Sequence, residues 1–445
     1  MRIELALSFI INLREHMKLK PRIALRPRPR PVALGVQLGS DYVRAAGFGA
    51  DVLDSVDAST SDVAVGGRAL FGPVFATLDT AAESSAGSGG PLGRIVGALK
   101  QRSPRAMHGS VLCLADDLVE YRQLDYDPAQ YASVERAILA QMPELVDPQA
   151  QARVVDYLPL SAAGPDTGLT RVLLVVAALD RVESLLEQIE ATGLSVAAVE
   201  VVPVSVLRAL NAPQARQGPL AAALSALGDR ILVTYIDLHQ TTVLAVERVD
   251  GHWTLAMHRS IRLGKQDLLA PIRTSMDLRG DEAERLVCRM GVGAAASSPT
   301  GPRIGDDGPA DRPASEWERE SDLNVREVLY QAMRPVLHAF ANELTRVALY
   351  YASQRRGSSP GGLLLLGDPV CWRGMLDALS AQVGLPARRL ALPAAPTSNS
   401  TLHALIGMPE GDGQTTGAVC LDYSVAAAAA LRDVVEWQGY PDAAG

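Results

Sequence analysis

The sequence predicts an α/β protein that is built from two similar halves. Strands and helices alternate along most of the chain, and two strand-turn-strand segments lie about 200 residues apart, which indicates an internal duplication. The length of 445 residues exceeds the roughly 100 to 200 residues of a typical domain, so we expect several subdomains. Hydrophobic residues at 48% and charged residues at 21% exclude wholesale disorder.

The composition excludes several classes of partner and cofactor. A formal net charge of -8 provides no long basic surface for phosphate backbones, so nucleic acid is not an expected partner. The four cysteines form no C-x-x-C pair, which argues against a zinc site or a disulfide framework and fits a reducing cytoplasm. The seven histidines lack H-x-x-x-H and H-E-x-x-H spacing, so magnesium is the only metal we consider.

The first 31 residues differ from the rest of the chain. They are basic and proline-rich, and we expect a disordered arm that either meets an anionic membrane surface or is simply solvated. Residues 5–13 resemble a short signal segment, but Glu4 interrupts its basic flank and no small-residue cleavage site follows. No apolar run reaches the roughly 18 to 20 residues of a membrane-spanning helix, and Met17 is an alternative start.

A mixed α/β pattern begins at residue 32. Residues 32–38 and 43–48 indicate two strands that are joined by a turn at Gly39, and residues 81–91 indicate a surface loop before a helix over 92–99. Apolar patterning predicts further strands over 110–115, 119–124, 152–159, 170–178 and 196–202, with helices near 131–141 and 181–192.

A second mixed segment begins at Arg230. It contains predicted strands over 231–237, 242–248 and 253–261, and the first two are joined by a turn at His239. Residues 293–321 are rich in Gly, Ala, Ser, Pro and Asp, which indicates a flexible insertion. A long helix over 324–355, which Pro335 is expected to kink or divide, leads to a strand over 362–366, and an Ala-rich helix begins at Val425.

The two hairpins point to a nucleotide pocket. In actin-like proteins, one hairpin turn from each half clamps the phosphates through backbone N–H groups, and acidic residues hold magnesium. The candidate nucleotide-binding residues on this pattern are Gly39, Ser40, Arg44, Asp237, Thr241, Thr242, Glu282 and Gly367. Asp237 is the candidate magnesium ligand. Each hairpin taken alone is equally a plain turn, and the acidic start of the helix at 281–284 would stabilise its dipole without any ligand.

The order of these segments resembles that of PilM, the actin-like component of type IV pilus assembly. The resemblance runs from about residue 32 to residue 431 and is most specific between residues 171 and 210. The family's Asp-Ile-Gly-Ser-Ser type turn followed by Val-Lys is similar to the Gln-Leu-Gly-Ser-Asp of residues 37–41 followed by Val43 and Arg44. The segments that carry the resemblance are residues 37–44, 171–178, 199–210, 236–242, 259–264 and 282–284.

The resemblance implies an actin-like fold, which is a duplicated ribonuclease H-like fold, with an inserted subdomain as in PilM and the related cell-division protein FtsA. The implied division is a basic arm (1–31), a first half or 1A (32–105, returning over 201–229), an inserted 1C subdomain (106–200), a second half or 2A (230–264 and 336–432), a 2B subdomain (265–335) and a tail (433–445).

The resemblance also implies a scaffold function. PilM-like proteins bind the N-terminal cytoplasmic tail of the membrane protein PilN, so we expect a protein that is peripheral to the inner membrane and reaches it through this partner and other assembly-platform proteins. Backbone pairing and small apolar pockets would hold such a tail. The sequence does not identify the groove residues.

Three departures from the family pattern predict that ATP and magnesium are bound weakly or not at all and that hydrolysis is doubtful. Gln37 stands where an Asp is expected, and a neutral amide is a poor magnesium ligand. His239 replaces a glycine, and its side chain would crowd the phosphate turn. Asp368 and Pro369 replace a glycine-rich turn, which adds negative charge and removes a backbone donor. We expect no catalytic residue.

Two other functions are open for this fold. One is an ATP-dependent small-molecule kinase of the actin and sugar kinase superfamily, which needs a general base and intact phosphate loops; the altered loops argue against it. The other is the cytoplasmic part of a GspL-like type II secretion protein, which would normally continue into a membrane-spanning helix. Fold alone does not separate these uses.

Overall fold

The structure, a computed structural model, describes residues 33–39, 42–48, 70–77, 108–145, 152–161, 168–211, 218–292, 316–390 and 424–430. Among these residues, the strands are β1 (Ala33–Leu38), β2 (Tyr42–Phe48), β3 (Leu70–Thr77), β4 (His108–Leu114), β5 (Glu120–Tyr126), β6 (Arg153–Pro159), β7 (Thr170–Ala178), β8 (Ser195–Val201), β9 (Arg230–Ile236), β10 (Thr241–Val249), β11 (His252–Ile261), β12 (Gly362–Leu366) and β13 (Ala387–Arg389).

The α-helices within the same ranges are α1 (Val134–Gln141), α2 (Leu179–Ala191), α3 (Val202–Asn211), α4 (Gly218–Leu227), α5 (Lys265–Met276), α6 (Gly280–Met290), α7 (Glu316–Gln354), α8 (Met375–Val383) and α9 (Ser424–Ala430). The basic arm, the helix predicted over 92–99 and most of the predicted insertion over 293–321 lie outside the described residues.

Two five-stranded sheets have the same topology. The first has the order β3-β2-β1-β4-β8 and the second has the order β11-β10-β9-β12-β13. In each sheet the first three strands are antiparallel and the last three are parallel. This correspondence confirms the predicted duplication, because the hairpin β1–β2 and the hairpin β9–β10 occupy equivalent places in the two sheets.

Alternating apolar residues build the core of the first sheet. Leu34, Val36 and Leu38 of β1 share one hydrophobic cluster, as expected from the two-residue period of a strand. Val182 and Ile189 of α2 belong to the same cluster and lie on one face of that helix. The second sheet is covered in the same way by apolar residues of α5, α6 and α7.

A third sheet is inserted between β4 and β8. It is antiparallel, has the order β5-β7-β6, and is covered on one face by α1. β4 and β8 fall inside the segment 106–200, but both strands pair in the first sheet. We call the three-stranded unit the inserted sheet.

Of the two effects predicted for Pro335, a kink or a division of the long helix, the division does not occur. α7 continues through Pro335 as one helix and begins at Glu316, inside the segment that was predicted as an insertion. Leu329 and Met333 before the proline, and Leu337 after it, are fully buried against the second sheet. This packing outweighs the cost of about 3 kcal/mol for a proline within a helix. No helix among the described residues is long and apolar enough to cross a membrane.

A buried ion pair fixes the segment with the most specific family resemblance. Glu200 in β8 and Arg208 in α3 form two bonds of 2.7 Å, from Nη1 to Oε1 and from Nη2 to Oε2. The hydroxyl of Ser205 donates to the same carboxylate, and Arg208 also donates to the carbonyl of Ala428 in α9 at 3.4 Å. The strand end, the following helix and α9 are therefore held in one arrangement.

Candidate functional site

The candidate site lies where the two hairpins face each other across the cleft between the two large sheets. Gln37 of β1 pairs with Arg44 of β2 in the first hairpin. Tyr235 lies near the end of β9, and Asp237 directly follows that strand. Side chains of a strand point alternately to its two faces, so residues that are two positions apart point to the same face. On β2, and on the segment at the end of β9, residues with this spacing project into the cleft.

Side chains from both hairpins are joined by hydrogen bonds. Gln37 Nε2 donates to Tyr235 Oη at 2.7 Å, and the hydroxyl of Tyr42 donates to Asp237 Oδ2. Arg44 Nη1 donates to Tyr235 Oη at 2.6 Å and to Asp237 Oδ1 at 3.2 Å. The first half therefore reaches directly to the acidic residue that was predicted to hold magnesium.

Arg44 also links the hydrogen-bonded side chains to a second group of charged residues. Its Nη2 donates at 3.0 Å to Oδ2 of Asp368, which lies two residues after the end of β12. Lys265, at the start of α5, donates to the same Asp368 oxygen at 2.9 Å and to Glu284 Oε1 of α6 at 2.8 Å. We call the whole set the cleft network; its members are Gln37, Tyr42, Arg44, Tyr235, Asp237, Lys265, Glu284 and Asp368.

The cleft network is buried and nearly neutral. Each member is at most 9% exposed, and the set contains two cationic and three carboxyl side chains. Burial raises the pKa of Asp237, against the lowering effect of Arg44, and burial likewise raises the pKa of Glu284 against that of Lys265. Burial, the largest single effect, opposes the charge of Arg44, but Asp368 and the other neighbouring acidic groups together raise the pKa of the guanidinium. One proton shared among the acids would balance the charges.

The glycine turn of the first hairpin is covered by the chain itself. The N–H of Gly39 donates to the carbonyl of Tyr42 at 3.0 Å, and a Cβ at Gly39 would overlap the ring of Tyr42. The aromatic ring thus lies over the turn that a phosphate would approach. Ser40 lies outside the described residues.

The two threonines of the second hairpin also have partners within the chain. Thr241 Oγ1 donates to the carbonyl of Leu263 at 2.7 Å, and the hydroxyl of Thr242 donates to Asp116 Oδ2. Asp116 additionally accepts from Tyr121 Oη at 2.9 Å. These contacts connect the second hairpin to the beginning of the inserted sheet.

Glu282 lies away from the cleft network. Its Oε2 accepts from the N–H of Arg279 at 2.9 Å, so it caps the N-terminus of α6, with its side chain partly exposed to solvent. Glu284, two residues further along the helix, faces the cleft instead. The structure therefore favours the capping interpretation for Glu282 and gives Glu284 the position in the cleft.

Two glycines are fixed by close backbone contacts near the turns. The side chain of His239 is exposed, and Gly264 is packed against the turn that contains it, because a Cβ at Gly264 would meet the backbone of Gln240. Gly367 has φ of +108°, and a Cβ there would overlap the carbonyl of Ile236. Glycine at 367 is thus required by backbone packing alone.

A bound magnesium nucleotide does not fit this arrangement. Asp237 already accepts from Tyr42, Arg44 and the N–H of Leu238. The described residues contain no group of three or more His, Cys, Asp or Glu side chains that could hold a metal. The carboxylate of the candidate magnesium ligand is therefore already engaged by groups of the chain itself.

Sequence reasoning missed Tyr42, Tyr235, Lys265 and Asp116. A signal was present for the first two, because Tyr42 and Arg44 on β2, like Tyr235 and Asp237, are polar residues spaced two apart among buried apolar neighbours. No local pattern indicates Lys265, whose partners are 19 and 103 residues away along the chain.

Comparison with known proteins supports the fold. No protein-family model and no curated protein sequence matches the chain. The solved PilM-PilN type IV pilus biogenesis complex aligns with a TM-score of 0.53 and 18% identity over 92% of this chain and 100% of that chain. The ethanolamine utilization protein EutJ from Carboxydothermus hydrogenoformans aligns with a TM-score of 0.41 and 12% identity over 89% of this chain and 98% of that chain.

A third similar structure is the activator of the 2-hydroxyisocaproyl-CoA dehydratase from Clostridium difficile with bound ADPNP. Its TM-score is 0.33 and its identity 10%, over 92% of this chain and 100% of that chain. The last two TM-scores are too low to carry an argument. The duplicated sheets and the match to PilM show that this chain has an actin-like fold, the one found in PilM.

Proposed function

We propose that this chain is a cytoplasmic, actin-like scaffold of a type IV pilus assembly platform that binds the N-terminal cytoplasmic tail of a PilN-like membrane protein. The observation that carries the proposal is the alignment with PilM from the PilM-PilN complex, which extends over 92% of this chain and the whole of that one. At 18% identity the likeness concerns the fold, so the partner is inferred by analogy.

We further propose that the protein is not an ATPase. Arg44, Lys265 and three carboxyl groups occupy the cleft and form ion pairs with one another, which supports a pocket that has lost its nucleotide. The same arrangement gives no support to the kinase alternative, because a kinase needs an open substrate site and an available general base. In this proposal, magnesium and ATP therefore bind weakly or not at all.

The proposed place of action is the cytoplasmic face of the inner membrane. The PilN-like partner and other assembly-platform proteins would hold the scaffold there, so its contact with the membrane is indirect. The net charge of -8 agrees with this, because an acidic protein is not attracted as a whole to an anionic membrane surface.

Affinity capture tests the proposal. The full chain is passed over an immobilised peptide that carries the N-terminal cytoplasmic tail of the PilN-like protein from the same organism, and over a scrambled peptide of equal composition. We expect capture by the native tail alone. Equal retention on both peptides, or none on either by a protein whose circular dichroism shows it folded, would contradict the proposed partner.

A further inference from the structure

A partly open cavity of about 260 Å³ lies between the inserted sheet and the second large sheet. Tyr121, Gln123 and Leu173 line it from the inserted sheet, and residues 257–259 of β11 line it from the second large sheet. Tyr350 of α7 lines a third side. None of these residues belongs to the cleft network, so the cavity is a second candidate site.

The register of the strands brings the lining residues together. Gln123 of β5 is paired with Leu173 of β7, and Tyr121 is two residues from Gln123, so all three side chains lie on one face of the inserted sheet. On the other side of the cavity, β11 has one extra residue, Ala256, where its pairing with β10 shifts. Such a bulge bends a strand and increases its twist, which lets three consecutive residues of β11 border one cavity.

Two aromatic rings form a fixed wall of the cavity. The ring centroids of Tyr121 and His258 are 4.0 Å apart, and the two ring planes are tilted by 37°. Tyr121 Oη donates to Asp116 Oδ1 at 2.9 Å, and His258 Nε2 lies 3.4 Å from Asp116 Oδ2. The side chain of His258 is only 3% exposed. Asp116 therefore holds both rings in place before any ligand arrives, which lowers the entropy cost of binding.

The exposed side of the cavity carries a positive charge. Arg259 is exposed, and its guanidinium carbon lies 4.7 Å from the centroid of the Tyr350 ring, which is a cation–π contact. None of the described residues that line the cavity is acidic. No carboxylate of the described residues forms an ion pair with Arg259, so its N–H groups can bind a carboxylate of a ligand.

The volume and the lining together define the chemistry of a ligand. A protein cavity of about 150 Å³ holds benzene, so one of about 260 Å³ has room for a benzene ring with a carboxylate. The buried residues Leu173 and Met257 and the stacked rings favour a flat apolar body, because aromatic rings pack well against one another. Arg259 favours a negative charge on that body. A bare inorganic anion would leave the apolar lining unused, and a neutral hydrocarbon would leave the guanidinium unpaired.

We propose that this cavity binds a small aromatic carboxylate, whose ring packs against Tyr121 and His258 and whose carboxylate pairs with Arg259. The lining comes from the inserted sheet, β11 and α7, so a bound ligand would join the inserted sheet to the second half. The proposal does not rest on the proposed scaffold function, because neither the PilN-like tail nor the cleft network takes part in it.

Calorimetric titration of the full chain with sodium benzoate tests the proposal. Benzamide serves as the uncharged analogue, and cyclohexanecarboxylate serves as the charged analogue without an aromatic ring. We expect benzoate to bind with a Kd below about 1 mM. Benzamide should bind at least about tenfold more weakly, because it lacks the charge that pairs with Arg259. Cyclohexanecarboxylate should bind at least about threefold more weakly, because it lacks the aromatic face.

Two substitutions locate the binding site. Gln123→Trp places a large ring at a lining position and should abolish benzoate binding, whereas Gln188→Trp, an exposed substitution on α2, is the matched control and should bind as the wild type does. Arg259→Gln should weaken benzoate binding at least about tenfold and leave benzamide binding unchanged, because only the charged ligand uses the guanidinium. Melting curves establish that each variant is folded. Because Arg259 is exposed, its variant keeps the test available where Gln123→Trp does not fold.

Any of three results would overturn the proposal. The first is a Kd for benzoate above about 1 mM with the folded wild type, or equal affinities for benzoate and benzamide. The second is unchanged benzoate binding by the folded Gln123→Trp variant, because the ligand would then bind elsewhere. The third is an Arg259→Gln variant that binds benzoate as the wild type does, or that loses benzoate and benzamide to the same extent.

Discussion

Arg44 and Asp368 form an ion pair across the cleft, although 324 residues separate them along the chain. The distance from Nη2 to Oδ2 is 3.0 Å, and both side chains are 1% exposed. This pair joins β2 of the first half to the turn after β12 of the second half. The two halves are therefore held together by charges of the chain itself.

Removal of the Arg44 charge should destabilise the fold strongly. Arg44→Met leaves Asp237 and Asp368 without their shared cation, and loss of one partner from a buried ion pair costs about 3 to 5 kcal/mol. The measurement is the free energy of unfolding in guanidinium chloride. Arg346→Met is the matched control, because Arg346 is 74% exposed in its pair with Glu343 and should lose less than about 1 kcal/mol.

A double-mutant cycle separates this pair from its neighbours. Arg44→Met combined with Asp368→Leu should cost less than the sum of the single substitutions, with a coupling on the order of 1 to 3 kcal/mol. The assignment of the ion pair as a link between the halves is wrong if Arg44→Met is no more destabilising than Arg346→Met.

Magnesium ATP should not raise the melting temperature of the wild type. A ligand present at about 100 times its Kd stabilises a protein by about 2.7 kcal/mol, so real binding would be visible in thermal unfolding. A phosphate-release assay on the same samples should show no steady turnover. The double substitution Gln37→Asp and His239→Gly should give the same result, because the ring of Tyr42 still covers the turn at Gly39.

A rise in melting temperature that depends on magnesium, together with continuous phosphate release by the wild type, would contradict this prediction. Binding that appears only in the double substitution would show that the cleft network opens more easily than its burial indicates.

Asp156 on β6 should make stability depend on pH. Burial raises its pKa to about 7, although the N–H of Tyr157 opposes this shift. The folded protein therefore holds a proton that the unfolded chain, with a pKa near 4, releases. The stabilisation that this bound proton gives to the folded state is fully present below about pH 4 and is lost as the pH rises through 7.

Asp156→Asn should remove this dependence. Between about pH 5 and about pH 8, the free energy of unfolding of the wild type should fall relative to the variant, by a difference on the order of 2 kcal/mol. Urea unfolding of both proteins at the two pH values measures it. Parallel curves for the wild type and the variant would show that Asp156 titrates normally.

Much of the fold could be predicted from local patterns. Apolar runs predicted β7 and β12 with the bounds that the structure shows. The two hairpins could be predicted because each consists of two strands that flank a short turn. The helix through Pro335 was not predictable from local propensity, since its continuity depends on apolar contacts with the second sheet on both sides of the proline.

The site was less predictable because its partners are distant in sequence. Asp237 and Arg44 were found through the hairpins, whereas Lys265 acquires a role only when the fold brings it to Glu284 and Asp368. Glu282 is the opposite case, because its carboxylate accepts from the N–H of Arg279 at the start of α6. An acidic residue in the first turn of a helix can cap the helix N-terminus or line a ligand pocket. The sequence alone does not distinguish these two roles.

Binding of the PilN-like tail, as proposed, should not depend on nucleotide. Titration calorimetry of the full chain with the tail peptide, in the presence and absence of magnesium ATP, measures this dependence. We expect the same Kd in both conditions, at tens of micromolar or tighter, which corresponds to about -6 kcal/mol or more of binding free energy. Absence of binding by the folded protein, or binding only with magnesium ATP, would contradict it.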